Sequence, residues 1–168
     1  MKGRILSLFL ILTLIFIHLV SCSDVKEFTH CELTLVLDKS FEEEESDDFD
    51  LLLTNGDIAI SLIRITFEAG FNQGISDTYT AKGFAAFFMN KSGKSEEIYE
   101  YGDVPYYTYT ETSGEREFFY TVTFYRSFNA YFIVAYATGA KYKDGYKEQF
   151  LEYADNAYFN DAPEIKTE

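Results

Sequence analysis

Residues 105–136 read PYYTYTETSGEREFFYTVTFYRSFNAYFIVAY, and this stretch decides the fold. Val, Thr, Tyr and Phe dominate it, a composition of β-branched and aromatic residues that suits a pleated surface. Turn residues interrupt it at Ser113-Gly114 and at Phe128-Asn129. The pattern therefore predicts three consecutive strands, Pro105–Thr112, Arg116–Arg126 and Ala130–Ala137. Twelve aromatic residues fall here, in a chain with 17 Phe and 14 Tyr. Each buried aromatic removes about 150–250 Å² from water, so a sheet carries most of the burial and the other elements are placed relative to it.

A two-residue turn at Ser113-Gly114 sets Glu111 opposite Arg116, Tyr109 opposite Phe118 and Tyr107 opposite Tyr120, pairing opposite charges and aromatics. Alternation then sorts the meander into two faces. Tyr107, Tyr109, Phe118, Tyr120, Val122 and Phe124 form the expected core face. Tyr106, Thr108, Thr110, Phe119, Thr121, Thr123 and Tyr125 form a threonine-rich face, expected to be more open and to offer Thr123 and Tyr125 to a partner.

Outward from the meander, Leu51–Leu53, Asn55-Gly56-Asp57 and Ile58–Phe67 read as a hairpin, because Asn-Gly supplies the positive φ angles of a tight turn. Ile58–Phe67 is apolar on both faces and is expected to be a central strand. Ser76-Asp77 is expected to cap a helix that runs to about Asn90, with Tyr79, Gly83, Phe84, Ala86 and Phe87 on its inner stripe. Gly83 costs that helix on the order of 1 kcal/mol relative to Ala, a cost that close approach to the sheet would offset. Ile98–Tyr101 reads as a short strand and Gly139–Gly145 as a loop. Tyr146–Asn156 reads as a second helix with Tyr146, Phe150, Tyr153, Ala154 and Ala157 in one stripe, and Ala157-Tyr158-Phe159 as a closing strand. No linker, low-complexity run or internal repeat divides the chain, so the pattern predicts one domain.

Phe28–Leu37 alternates as Cys31, Leu33, Leu35 and Leu37 against His30, Glu32 and Thr34, which reads as a first strand with Cys31 as a small core residue. The run Glu42-Glu43-Glu44-Glu45-Ser46-Asp47-Asp48-Phe49-Asp50 lacks the D-x-D-x-D-G spacing of a calcium loop. It is expected to be a solvated loop between strands rather than a metal site.

Lys2 and Arg4 precede an almost unbroken apolar run, Ile5–Val20, which is shorter than the ~18–20 residues needed to span a bilayer. Residues 1–21 thus read as an export signal peptide. The segment ends Leu19-Val20-Ser21-Cys22, which resembles the lipobox of bacterial lipoproteins. That resemblance implies cleavage before Cys22, a diacylglycerol on its thiol and an extracytoplasmic protein held at the bacterial cell envelope membrane by its lipid. Residues 22–28 are then a short tether, 29–160 the domain and 161–168 a polar C-terminal tail. The chain carries a formal charge of −14, and losing Lys2 and Arg4 with the signal takes it to −16. Such an acidic domain has no electrostatic case for nucleic acid or for an anionic bilayer surface, so membrane contact is expected through lipid alone.

Taken together, the apolar first strand, the acidic loop, the hairpin DLLLTNGDIAISL, a helix, the aromatic meander and the closing helix YKEQFLEYADNAYF resemble the PsbP/DcrB-like fold group over roughly Thr29–Asn160. The resemblance implies an α+β domain, a twisted antiparallel β-sheet with helices packed on its faces. The group includes extrinsic photosystem II subunits, a Ran-binding nuclear protein and envelope lipoproteins, whose common feature is non-enzymatic binding or assembly.

Catalytic constellations are sparse. His18 leaves with the signal, so His30 stands alone, and Cys31 beside it points to the opposite strand face. The chain has no G-x-S-x-G, P-loop, G-x-G-x-x-G or H-E-x-x-H. No catalytic, cofactor-binding or metal residue is assigned and no cofactor is expected; the one assigned site is lipid attachment at Cys22. The expected function is a membrane-anchored, non-enzymatic binding or scaffolding module with an envelope protein as partner. The alternatives are a small extracytoplasmic hydrolase using paired carboxylates and a carrier of an apolar or aromatic ligand.

Overall fold

In the computed structural model, which describes residues 24–160, the first element is a hairpin. It joins β1 (Val25–His30) to β2 (Leu33–Asp38). After β3 (Glu42–Glu44), a second hairpin across Asn55-Gly56 joins β4 (Leu51–Thr54) to β5 (Ile58–Thr66). A one-turn helix α1 (Phe67–Phe71) follows at once, then α2 (Ala81–Ser92). The short β6 (Tyr99–Tyr101) leads into the meander β7 (Val104–Ser113), β8 (Arg116–Arg126) and β9 (Ala130–Gly139). A 3-10 turn at Ala140–Tyr142 opens into α3 (Lys143–Asp155), and β10 (Tyr158–Phe159) closes the domain.

The meander and the Asn-Gly hairpin form one seven-stranded antiparallel sheet of order β3-β4-β5-β9-β8-β7-β6. A three-stranded sheet, β1-β2-β10, lies against one of its faces together with α3. That side holds the larger core, in which Leu33, Leu35 and Leu37 meet Leu53, Ile60, Phe132, Val134, Tyr136 and Phe150. On the other face, α2 lays Phe84 flat on Tyr131 at 4.3 Å between ring centroids and sets its edge against Phe124 at 5.8 Å. Tyr107, Val122, Ile133 and Met89 complete this second core. With apolar layers on both sides, β8 and β9 are buried along most of their length, as their near-continuous apolar sequence requires.

Several expectations change. The threonine-rich face is not open: Thr121 and Thr123 are 0 % exposed and Tyr125 is 7 % exposed, because β2 and α3 roof that side. The hairpin register is two residues away from the expected one, since Gly114 and Glu115 make the turn and Ser113 faces Arg116. Tyr109 accordingly stacks on Tyr120, 4.8 Å away. An even shift leaves each side chain on its own face.

The expected first strand is two strands, with Cys31 at the turn between them in a left-handed conformation, φ 52°. Cys31 is exposed rather than a core residue. Val25–Phe28, expected within the tether, pairs with β2 instead, because Phe28 has core to fill. Within the acidic run, Glu42–Glu44 is a strand. The helix cap is Thr80, whose hydroxyl accepts from the Gly83 amide, rather than Ser76-Asp77. The buried stripe of α2 is Phe84, Ala85 and Met89, with Ala86 turned to solvent, and Gly83 faces its own cap rather than the sheet. The expected Gly139–Gly145 loop is taken up by the 3-10 turn and the start of α3.

Candidate interaction surface

The last residue of β5, Thr66, also caps α1, its hydroxyl accepting from the Ala69 amide at 3.1 Å. Gly70 then presses the turn against its own return. The Gln73 and Ile75 amides both donate to the Gly70 carbonyl, at 2.8 and 3.0 Å. A Cβ at Gly70 would lie 3.2 Å from that of Ile75, so glycine is what permits the approach. Phe67 is held against Tyr131 at 5.1 Å, with the Arg126 guanidinium 5.3 Å above its ring. One turn on, Phe71 has passed the edge of the sheet and is 80 % exposed. Hydrogen bonds on both sides of it close the turn and set where its backbone stands.

Three more phenylalanines are exposed at this end of the molecule, one of them Phe159 of β10, 38 % exposed beside Glu32. Phe128, in the β8–β9 turn, is 56 % exposed; its neighbour Asn129 accepts from the Phe67 amide. Phe49, in the loop before β4, is 37 % exposed. Two open depressions flank α1. One, of about 520 Å³, lies among Phe67, Phe71, Ile75, Glu68 and Asp77. The other, of about 420 Å³, runs between Phe49, Asp47, Asp48, Ala69 and Gln73.

Beneath this surface a polar clamp joins the two sheets. Arg64 meets both carboxylate oxygens of Glu32 at 3.2 Å, and the Asn129 side-chain oxygen at 3.1 Å. The Ser127 hydroxyl donates to the same carboxylate at 2.8 Å. Burial pushes the Glu32 carboxyl up, but the hydrogen bonds from Ser127 and Arg64 outweigh it and hold the group below the usual carboxylate range.

The opposite end of the domain carries residue 24. Asp24 pairs with Lys39 at 2.5 Å, and Ser40 accepts from Asn55 at 3.4 Å in the β4–β5 turn. β1 and β5 both run from this end toward the clamp, and the nine residues of β5 span on the order of 25 Å. A depression of about 540 Å³ also opens near here, but Asp57 and Glu117 balance Arg116 and Lys141 on its walls.

No protein-family model matches the chain, and no curated protein does. Solved structures do. The solution structure of cyanobacterial PsbP (CyanoP) from Synechocystis aligns with TM-score 0.53 at 15 % identity, over 84 % of this chain and 95 % of that one. The fold is PsbP-like. The crystal structure of the Ran-binding protein Mog1p from Saccharomyces cerevisiae aligns with TM-score 0.52 at 9 % identity, over 80 % of this chain and 94 % of that one. A crystal structure from Bacteroides thetaiotaomicron aligns with TM-score 0.59 at 12 % identity and 82 % coverage, and this chain spans about half of it, 49 %.

On this PsbP-like scaffold the residues singled out from sequence are dispersed. Cys22, the signal peptide and the 161–168 tail lie outside the described residues. His30 ends β1, half-buried, and exposed Cys31 follows it in the turn. Among the described residues, no three His, Cys, Asp or Glu side chains are grouped as metal ligands would be. Thr123 and Tyr125, expected on a partner-facing surface, are interior. What sequence reasoning missed is α1. A five-residue helix is too short to show periodicity; Thr66 followed by Glu68, a cap and a first-turn acid, was the available signal.

Proposed function

We propose that this chain is a lipid-anchored, non-enzymatic binding or scaffolding module of a bacterial envelope, and that the α1 end is its partner surface. The observation that carries the reading is that Phe71, Phe128 and Phe49 are each exposed at the end opposite residue 24, Phe71 and Phe49 beside the depressions on either side of α1. Large side chains left in water cost solubility unless something covers them. Cys22 lies two residues before Asp24, so a diacylglycerol there would hold the Asp24–Lys39 end to the membrane and turn the phenylalanines outward. The lipobox supports the anchor, and the PsbP-like fold supports a role in binding. Mog1p, whose structure this fold resembles, is a Ran-binding protein; no partner is carried over from it.

The anchor is tested by labelled fatty acid, which should be incorporated by the native chain and not by Cys22→Ala; labelling of that variant overturns the lipoprotein reading. The surface is tested with a photo-crosslinking residue at position 71 in the membrane-held protein. Position 71 should yield a discrete crosslinked envelope protein that position 115, in the β7–β8 turn, does not. Equal yields from both positions would overturn the surface assignment.

A further inference from the structure

The surface around α1 is selective in charge as well as apolar. Asp47 and Asp48 rim one depression, Glu68 and Asp77 the other, and all four are exposed. None of the described ion pairs involves any of them. Of the three cations nearby only Arg64 is neutralised by a carboxylate, while Arg126 and Lys91 contact neutral groups and keep their charge. Arg64 is held by Glu32 and Asn129, and Arg126 by the Asp77 carbonyl and the Phe67 ring. Lys91 is held by the Gln73 carbonyl and the Phe87 ring. The apolar lining of Phe67, Phe71 and Ile75 is thus bordered by four carboxylates outside every described ion pair, against two cations that keep their charge, and the border is net negative.

From this geometry we infer that the α1 surface takes a cationic polypeptide segment, one that sets an apolar side chain against Phe71 while Lys or Arg on either side meets the carboxylates. The inference rests on the partner-surface reading above. Two other occupants fit less well. A second copy of the chain would bring the same carboxylates face to face, a like-charge juxtaposition that disfavours pairing. A lipid surface is at the wrong end, about 25 Å away along the strands, and an anionic one would repel the rim. A Lys or Arg segment gains attraction within a Debye length of about 8 Å at physiological salt, and its apolar side chain supplies the desolvated centre that short-range affinity needs.

The test uses the full chain in nanodiscs and two fluorescent synthetic peptides, one alternating Leu and Phe with Lys, the other alternating them with Glu. The Lys peptide should bind and the Glu peptide should not. Affinity should fall about tenfold in Phe71→Ala, equivalent to about 1.4 kcal/mol, and comparably in Glu68→Gln/Asp77→Asn. Phe71 is exposed enough that its removal should leave folding intact. Glu115→Gln/Glu117→Gln removes two exposed charges at the β7–β8 turn, at the opposite end of the domain, and should leave affinity unchanged; an equal loss there means bulk charge attraction and overturns the inference. A Phe71→Ala variant that binds the Lys peptide as well as the native chain overturns it too. Insertion of a probe at position 71 into protein-free vesicles, detected by a lipid-phase quencher, would assign the surface to lipid instead. If position 71 still crosslinks to an envelope protein while the Lys peptide does not bind, the cationic inference falls and the partner surface stands.

Discussion

The hydroxyl of Tyr125 donates to the main-chain carbonyl of Ala154 at 3.0 Å, tying the middle of the large sheet to the last turn of α3 from within the core. Burial, the leading influence, pushes the Tyr125 phenol up to about 12. Tyr125→Phe keeps the ring but removes this tie and the oxygen that accepts from the Thr123 hydroxyl at 3.4 Å, so it should lower stability by about 1 kcal/mol. The denaturant midpoint should fall with the slope unchanged. A neutral outcome would mean that the Ala154 carbonyl is adequately served by the helix end alone.

Thr123 and its neighbour Phe124 should both matter, for different reasons. Phe124 is 0 % exposed between Phe84, Phe88 and Tyr107, so Phe124→Ala should cost about 3–5 kcal/mol. Thr123, equally buried, donates to the Val134 carbonyl at 3.2 Å. Thr123→Ala should therefore cost about 2 kcal/mol, a hydrogen bond plus a methyl group. Neither change should alter a midpoint-corrected binding affinity, since both side chains are interior. A cost below about 0.5 kcal/mol for Thr123→Ala, the level of surface substitutions, would return that face to solvent.

The clamp gives stability an acid limit. Because the Glu32 carboxyl titrates lower in the folded chain than its ordinary value of 4.5, its contribution is complete above about that pH. It is lost as pH falls through the folded value, when the unfolded chain has already taken up its proton. Thermal melts from neutral pH down to about pH 3 should show a loss that is reduced in Glu32→Gln. That variant should itself be less stable at neutral pH by about 2 kcal/mol, since it weakens hydrogen bonds to a charged group. Parallel curves for native and variant chains would remove Glu32 from the account.

Alkaline unfolding should be steep. Tyr109 and Tyr125 are each raised to about 12, mainly by burial, and Tyr107, Tyr136 and Tyr153 are raised as well. Their contribution is complete below the unfolded value near 10 and is lost as pH rises toward the folded values. Tyrosinate absorbance should lag behind pH and then rise together with loss of near-ultraviolet ellipticity between about pH 10 and 12. A smooth titration centred near 10 would show that these phenols are open to water.

Local chemistry was legible in the sequence; layering was not. Asn55-Gly56 announced its hairpin, the two-sided apolar pattern of Ile58–Phe67 a central strand, and the aromatic alternation of Arg116–Arg126 and Ala130–Ala137 two strands of the meander. Gly114, at φ 63°, can occupy either position of a two-residue turn, which is why the register could slip by two without disturbing any face. Cys31 misled because it is in step with Leu33, Leu35 and Leu37 in sequence, whereas the two-residue turn at Cys31-Glu32 shifts the buried face from Phe28 on β1 to those leucines on β2. The threonines misled because their roof is built from β2 and α3, far away in sequence, and no local pattern records it. The exposed Phe71 was hidden for the opposite reason: in a sequence this rich in aromatics, one ring pointing outward looks like all the others.

The three glutamates of β3 form the outermost strand of the large sheet, with one row of backbone amides and carbonyls facing away from β4. Confinement to a membrane plane, as proposed, would raise the frequency with which neighbouring copies meet edge to edge. Two such edges in register would bring three carboxylates from each copy to a strand spacing of about 4.8 Å. Crowding on a surface therefore finds no seam along the β3 edge, where the glutamates act as electrical insulation between neighbours.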